Sequence, residues 1–155
     1  MNIMLDTNIY DKLAEDQAVL QQIETAIAKG VVCIFTTHIQ EDEIDALNKK
    51  GTKPQVVKTY VSLTKKKVPT AGFVLDVSRL DEACLGGVNT KVAGPHGTHV
   101  KDALIATTTD RDSCTLVTEN KTDFKYVKYH DFEAFKKLLQ KVLAPKDEVL
   151  NIKSN

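Results

Sequence analysis

The sequence predicts an α/β fold in which helices cover both faces of a parallel sheet. Three observations predict this class. Short apolar segments of strand length recur along the chain, longer segments with apolar residues at helical spacing separate them, and polar turn residues or glycines stand at the boundaries. Strands that are joined through helices run parallel and bury both of their faces. The alternation therefore indicates one sheet with helices packed on each side.

The amino-terminal third predicts two strand–helix units. Residues 3–5 form a short buried strand, and residues 9–28 carry apolar side chains at helical spacing, as one helix or as two with Asp16 capping the second. Residues 31–35 form a continuous apolar strand, and residues 39–47 resume the helical spacing. Each strand is thus followed directly by a helix, as a parallel sheet requires.

The rest of the chain continues this pattern around one glycine-containing segment. Pro54 starts a helix that ends before Pro69, because proline fits the first turn of a helix and not its interior. Residues 86–98 hold four glycines and few apolar residues, which predicts a poorly ordered loop. The other predicted elements are a strand over 73–77, a helix over 99–109, strands over 115–118 and 125–128, and a helix over 132–143.

Length and composition predict one globular domain. The chain has 155 residues, of which we expect 1–144 to form the domain and 145–155 to form a C-terminal tail. Hydrophobic residues make up 42% and charged residues 27%, which is typical of a globular protein and not of a disordered one. No segment has a signal-peptide pattern or the roughly 18 apolar residues of a membrane span, so we expect a cytoplasmic protein with no membrane association.

Charge is segregated along the chain although it sums to zero. Basic and acidic residues each number 21, which excludes a globally basic nucleic-acid-binding protein. Residues 1–45 nevertheless hold nine acids against two lysines, and residues 46–75 hold seven lysines and no acid. This basic segment is either a solvated helical surface or a surface that contacts phosphates. Its lysines are Lys49, Lys50, Lys53, Lys58, Lys65, Lys66 and Lys67.

Several other chemistries have no pattern in the sequence. The three cysteines, Cys33, Cys84 and Cys114, lack disulfide or metal spacing, and we expect buried, reduced thiols. The four histidines lack the spacing of metal ligands on one helix, and we expect surface or capping residues. Neither a G-x-S-x-G motif nor a glycine-rich phosphate motif is present, so serine-hydrolase, dinucleotide and nucleoside-triphosphate sites have no support.

Four acidic residues stand after predicted strands or at the start of the helices beyond them. Asp6 follows the first strand and Glu43 lies on the helix after the second. Asp102 begins a later helix, and Asp123 follows the strand over 115–118. Ligands of parallel sheets bind beyond the carboxyl ends of the strands, so we expect these side chains to converge there. Clustered carboxylates raise one another's pKa unless a cation neutralises them, and oxygen ligands suit Mg²⁺ and Mn²⁺.

Four short segments carry these acids in a fixed order over roughly residues 1–143. They are M-L-D-T-N at 4–8, T-H-I-Q-E-D-E-I at 37–44, K-D-A-L-I-A at 101–106 and L-V-T-E-N-K-T-D-F at 116–124. In order and spacing the segments resemble the motifs of the PIN-domain nucleases. The resemblance implies a three-layer α/β/α sandwich with a parallel sheet of four or five strands. Many family members of this size are toxins of bacterial toxin–antitoxin pairs, of the VapC type.

The resemblance also implies a role for individual residues. Asp6, Glu43 and Asp102 match the three central acids of the family. Asp123 matches a more variable fourth acid, so that the site holds three or four carboxylates. Asp42 replaces Glu43 if its helix is rotated by one residue. The polar residues that orient the acids or a water in the family match Thr7, Asn8, Thr118 and Asn120.

The function implied by these matches is hydrolysis of RNA phosphodiester bonds by an endoribonuclease with one or two Mg²⁺ or Mn²⁺ ions. A homodimer and an acidic antitoxin partner are further implications. One alternative is a catalytically inactive PIN-like scaffold that binds RNA or a protein. Another is a receiver-like or phosphatase-like domain with Asp6 as nucleophile. Such domains carry paired acids near the first strand, and this sequence lacks that arrangement. Candidate contacts for RNA phosphates are Lys49, Lys50, Lys53, Lys65, Lys66 and Lys67.

Overall fold

The computed structural model describes residues 1–79, 81–84, 87–88, 90–93 and 99–144, and within them strands alternate with helices. The elements are β1 (Asn2–Leu5), α1 (Thr7–Glu15), α2 (Gln17–Ala28), β2 (Cys33–Thr36), α3 (His38–Lys49), α4 (Pro54–Ser62), β3 (Lys65–Lys67), β4 (Thr70–Ala71), β5 (Ala83–Cys84), α5 (Thr90–Ala93), α6 (Val100–Arg111), β6 (Thr115–Val117), β7 (Tyr129–His130) and α7 (Phe132–Leu143). The predicted tail over 145–155 and most of the predicted loop over 86–98 lie outside the described residues.

Five strands form one parallel sheet in the order β3-β2-β1-β6-β7. The chain first builds outward from β1 to β2 and β3, and then returns to add β6 and β7 on the other side. The strand order therefore reverses between β1 and β6, which is where open parallel sheets bind ligands. The predicted α/β class with a parallel sheet of four or five strands is confirmed. A separate parallel pair is formed by β4 and β5.

Apolar side chains fill both faces of the sheet because successive strand residues point to opposite sides. In β1, Ile3 and Leu5 lie in one core with α1, α2, α4 and α7, whereas Met4 lies in a second core with α6. Strand β6 divides in the same way, with Val117 in the first core and Leu116 in the second. Two cores on opposite faces are compatible with a three-layer α/β/α sandwich.

Helix α1 is separated from α2 by a polar cap. Asp16 Oδ1 accepts a hydrogen bond from Val19 N at 3.2 Å, which satisfies a free N–H group at the start of α2. The segment predicted as one or two helices is therefore two. After α2 the chain turns at Gly30, whose φ of +67° lies in the left-handed region that glycine adopts freely. Among the described residues, no helix is both long enough and apolar enough to span a membrane.

The strand predicted over 73–77 is wrong, because this segment turns back on itself. Asp76 has a φ of +65°, and Ser78 N donates a hydrogen bond of 2.8 Å to Val74 O. Val74 also donates its own N–H group to Ser78 Oγ at 3.0 Å. Val74 and Val77 instead pack against the second core, whereas Leu75 is 74% exposed. The strands of the main sheet come from other segments of the chain.

Two further segments differ from the prediction. A strand was expected over 125–128, but Val127 N donates to Phe124 O at 3.0 Å in a turn, and β7 begins at Tyr129. Phe124 is fully buried, so the turn is anchored by its side chain rather than by strand pairing. Within the predicted loop over 86–98, the short helix α5 is present, and its Val92 is buried in the second core.

Strand β3 is an element of the main sheet that the sequence analysis missed, because its three residues are all lysine. Lys66 pairs with Phe35 of β2, so β3 is an edge strand of the main sheet. Lys65 Nζ lies 4.0 Å from the centre of the Tyr60 ring, and Lys66 Nζ lies 5.2 Å from that of Phe35. Lysines suit an edge strand, since their charge opposes pairing with another chain. Residues 65–67 were expected on a helix or turn, and this prediction is wrong.

Candidate metal centre

Asp6 stands at the carboxyl end of β1 and is fixed there by three hydrogen bonds. Its carboxylate accepts from Thr7 N at 2.8 Å, from Asn8 Nδ2 at 2.6 Å and from Thr118 Oγ1 at 2.6 Å. The residue is only 7% exposed and occupies the N-cap position of α1. Burial raises the pKa of Asp6, while the three hydrogen bonds act in the opposite direction. Asp6 is therefore held in one orientation at the point where the strand order reverses.

Glu43 reaches the same place from α3. The Thr7 hydroxyl donates a hydrogen bond to the Glu43 carboxylate. Burial raises the pKa of Glu43, the Thr7 hydrogen bond lowers it, and the negative charge of Asp6 raises it. Asp42 points elsewhere: its carboxylate pairs with Arg79, and its side chain is 44% exposed. Of the two acids proposed for this position, Glu43 is the one that the structure brings to Asp6.

Asp102 and Asp123 complete the group. Asp102 lies in the first turn of α6, and Asp123 lies in the turn after β6, where Asn120 Nδ2 donates to its Oδ2 at 2.7 Å. Burial raises the pKa of Asp102 to about 6, with further contributions from the charges of Asp6, Asp123 and Glu43. Thr7 contacts both Asp6 and Glu43, and donor atoms of Asp102 and Asp123 lie within 4.8 Å of one another. The four predicted acids therefore form one carboxylate cluster.

Polar side chains link the helix and strand ends that carry these acids. Besides its bond to Asp6, Thr118 Oγ1 accepts a hydrogen bond from Asn120 N at 2.9 Å. Asn8 Oδ1 accepts from Glu119 N at 3.2 Å, which joins the start of α1 to the segment after β6. All four predicted polar residues thus hydrogen-bond an acid of the cluster: Thr7, Asn8, Thr118 and Asn120.

His99 belongs to the cluster, although the sequence analysis did not select it. It occupies the N-cap position of α6, and its Nδ1 lies 3.6 Å from Asp102 Oδ2 and 3.5 Å from Asp123 Oδ2. The available signal was its spacing of three residues from Asp102, which places both side chains on the same side of the first helical turn. His38 also departs from the expected surface role, since it is fully buried with Nε2 3.3 Å from Val77 O.

No protein-family model, curated protein or solved structure matches the chain. The positions of the donor atoms and the charge of the cluster therefore carry the functional argument, together with the resemblance of four sequence segments to the motifs of PIN-domain nucleases.

The donor set fits a hard divalent cation. Four carboxylates lie together with one imidazole, and donor atoms of His99, Asp102 and Asp123 all lie within 4.8 Å of one another. Asp6, Glu43 and Asp102 all have raised pKa values, for which burial is the largest cause and the charge of neighbouring acids a further one. A bound cation would relieve both effects, and Mg²⁺ and Mn²⁺ are the ions that carboxylate oxygens suit.

Two of the six candidate RNA-contacting lysines are occupied within the fold. Lys65 Nζ donates to the carbonyl oxygens of Tyr60 and Leu63, and burial lowers its pKa. Lys67 Nζ pairs with Glu41 at 2.6 Å and with Glu82 at 2.7 Å. Their positive charges therefore serve contacts within the protein.

The other four lysines are more accessible to a partner. Lys49 and Lys50 are exposed at the end of α3. Lys53 is exposed as well, but its Nζ pairs with Asp11 at 2.8 Å. Lys66 is exposed on the edge strand β3. The predicted basic segment is thus distributed over several environments, in which Lys49 and Lys50 form an adjacent exposed pair.

The cysteines lie outside the carboxylate cluster. All three are free thiols, and Cys33 and Cys114 are half-buried. Burial raises the pKa of Cys114 to about 11, which keeps it protonated and unreactive. Cys84 is exposed in β5, with its Sγ 3.2 Å from Arg111 Nη1, so the expectation of a buried thiol is wrong there. The two-stranded sheet that holds Cys84 leaves its side chain uncovered.

Proposed function

We propose that the protein is a metal-dependent endoribonuclease of the PIN type, in which Asp6, Glu43, Asp102 and Asp123 hold one or two Mg²⁺ or Mn²⁺ ions. The observation that carries the proposal is the convergence of these four carboxylates at the edge of the sheet where the strand order reverses. RNA as substrate comes from the resemblance to PIN-domain nucleases. The toxin role, the antitoxin partner and the homodimer rest on that resemblance alone and stay predictions.

The residues of the chain have distinct parts in this proposal. Three hydrogen-bond donors fix the Asp6 carboxylate, so its oxygens can bind an ion without reorientation. Thr7 and Asn120 hold Glu43 and Asp123 in the same manner. When bound, a divalent ion supplies an activated water and stabilises the charge that develops on the phosphodiester. The exposed Lys49 and Lys50 contribute positive charge that attracts RNA phosphates.

The direct test is cleavage of a mixed pool of labelled single-stranded and structured RNA by the full chain, with Mg²⁺, with Mn²⁺ and with EDTA. Wild type is compared with Asp102→Asn and with Asp110→Asn. Asp110 is an exposed residue two turns further along α6, so it controls for a change of charge on the same helix. We expect cleavage that requires metal, is lost in Asp102→Asn and is kept in Asp110→Asn.

Two results would contradict the proposal. One is equal cleavage by Asp102→Asn and wild type, which would remove the assigned site. The other is no cleavage of any RNA by folded wild type with metal present, which would favour the inactive scaffold that binds RNA or protein. Electrophoretic mobility shifts on the same RNA pool would then identify binding without cleavage.

A further inference from the structure

We propose that His99 is a nitrogen ligand of the ion in this site, together with Asp102 and Asp123, and that it makes the site prefer Mn²⁺ to Mg²⁺. The inference rests on the proposed function for its metal centre and adds a residue that none of the sequence motifs contains. Its basis is the position of His99 Nδ1, which faces the carboxylate oxygens of two acids from different elements.

The distances suit ligands of one ion better than a hydrogen-bonded triad. His99 Nδ1 lies 3.6 Å from Asp102 Oδ2 and 3.5 Å from Asp123 Oδ2. Both separations exceed the range of about 2.7–3.2 Å for an N–H···O hydrogen bond. Two ligand atoms at about 2.1–2.2 Å from a shared ion lie roughly 3.0–3.8 Å apart for angles near 90–120°. His99 Nδ1 therefore lies at the spacing of two ligands of one ion from both carboxylate oxygens, and the donor atoms of all three residues lie within 4.8 Å of one another.

The backbone fixes His99 in this position. His99 N donates to Ala93 O at 3.2 Å, and His99 O accepts from Ala103 N at 2.9 Å, which makes His99 the last residue before α6. Asp102 follows one helical turn later, while Asp123 is oriented from the other side by Asn120. Two separately anchored elements thus present an imidazole nitrogen and two carboxylate oxygens to one point.

A nitrogen ligand changes which ion the site favours. Mg²⁺ binds oxygen almost exclusively, requires near-ideal octahedral geometry and gives up its waters reluctantly. Mn²⁺ is a first-row transition-metal ion, and the Irving–Williams order describes its affinity for sites with mixed nitrogen and oxygen ligands. Binding to one histidine and two aspartates therefore costs Mg²⁺ more free energy than it costs Mn²⁺. In contrast, a site of carboxylates alone would hold both ions through the same oxygen atoms.

The test measures metal binding without RNA. Mn²⁺ and Mg²⁺ are titrated by calorimetry into the metal-free full chain, and pulsed electron paramagnetic resonance of the Mn²⁺ complex detects a directly bound nitrogen. His99→Gln is compared with His130→Gln, a control whose imidazole interacts with Asp131. We expect a nitrogen coupling in wild type and in His130→Gln that is lost in His99→Gln. The Mn²⁺ dissociation constant should rise by more than about tenfold in His99→Gln, and that of Mg²⁺ by less.

Three results would overturn the inference: no Mn²⁺ binding, an Mn²⁺ complex without nitrogen coupling in wild type, or a coupling that persists in His99→Gln. Its failure is distinguishable from failure of the proposed function. Oxygen-only coordination with metal-dependent RNA cleavage would remove His99 from the site and leave the nuclease intact. Nitrogen coordination that depends on His99, with no RNA cleaved, would leave the metal centre and remove the nuclease.

Discussion

Thr118 Oγ1 donates a hydrogen bond of 2.6 Å to Asp6 Oδ2 and so joins the ends of β6 and β1, between which the strand order reverses. The two residues are 112 positions apart in the chain. Thr118 is fully buried, and the same hydroxyl accepts a hydrogen bond from Asn120 N. One side chain therefore orients the central acid and anchors the turn that carries Asp123.

Thr118→Val tests this contact because it removes the hydroxyl and keeps the shape. Asp6 loses a donor and Asn120 N loses an acceptor, so we expect the free energy of unfolding to fall by about 2 kcal/mol. Metal-dependent cleavage should fall by about tenfold or more, because the carboxylate loses its orientation. Urea unfolding and cleavage rates measure the two effects. Thr115→Val, at the other end of β6, is the control, and equal behaviour of both variants would contradict the prediction.

Asp102 makes the metal-free protein less stable as pH rises. Its pKa is about 6 in the folded protein and 3.8 ordinarily, so the folded state binds the proton more tightly. The contribution of this group to the free energy of unfolding is therefore highest at low pH and falls as pH rises from about 4 to 6. Asp6 and Glu43, whose pKa values are also raised, act in the same direction.

Asp102→Asn isolates the contribution of this group. The side chain is 26% exposed, so we expect the fall in stability between about pH 4 and 7 in EDTA to be smaller in Asp102→Asn by on the order of 2 kcal/mol. Urea unfolding at a series of pH values provides the measurement. Parallel pH curves for wild type and Asp102→Asn would show that the pKa of Asp102 is not raised in the folded protein.

The paired variants Glu43→Gln and Asp42→Asn distinguish the two acids of α3. Glu43 contacts Thr7 within the carboxylate cluster, and we expect Glu43→Gln to weaken Mn²⁺ binding and RNA cleavage by at least about tenfold. Asp42 pairs with Arg79 and is 44% exposed, so Asp42→Asn should change stability by less than about 1 kcal/mol and leave cleavage unchanged. Reversed effects in a cleavage assay would place the second acid at Asp42.

Addition of Mn²⁺ or Mg²⁺ should raise the thermal stability of wild type. An ion that binds only the folded state at 100 times its dissociation constant stabilises it by about 2.7 kcal/mol. The increase should be larger at about pH 7 than at pH 5, because protons compete for Asp102 near its pKa of about 6. Scanning calorimetry of wild type and Asp102→Asn compares the shifts. An equal shift in the variant would indicate that the ion binds elsewhere.

Lys49 and Lys50 should contribute to RNA affinity in a salt-dependent way. Both are exposed at the end of α3, and replacing both with glutamine should reduce the slope of log affinity against log salt by about 1.4 for single-stranded RNA. Fluorescence anisotropy on an Asp102→Asn background avoids cleavage during the measurement. Lys67→Gln is the contrasting variant, since its charge pairs with Glu41 and Glu82. An unchanged slope in the double variant would exclude this surface.

Periodicity predicted most of the fold because burial of strands and helices leaves a direct pattern in the sequence. It found β1, β2, β6 and α7, whose apolar residues face the two cores. It missed β3, since the pairing of Lys66 with Phe35 is set by an edge position and leaves no apolar pattern. It misassigned 73–77 because Val74 and Val77 pack against the core from a turn.

For the candidate site, the sequence predicted which acids follow strands, and the structure brings those four together. Two features depend on three-dimensional detail that sequence spacing alone does not decide. The choice between Asp42 and Glu43 depends on the rotation of α3, which its capping box at Thr37 and Gln40 fixes. The inclusion of His99 depends on where α6 begins relative to the turn that holds Asp123.

The central strand β1 and one of its two neighbours, β6, are far apart in the order of synthesis. Thr118 is synthesised 112 residues after Asp6, and Asp123 later still. A growing chain therefore lacks one neighbour of its central strand until β6 has been made, and it lacks one of the four carboxylates, Asp123, until the turn after β6 has been made. Closure of such long-range contacts is also a slow step of folding. The proposed metal site would thus be complete only after residue 123 has been synthesised.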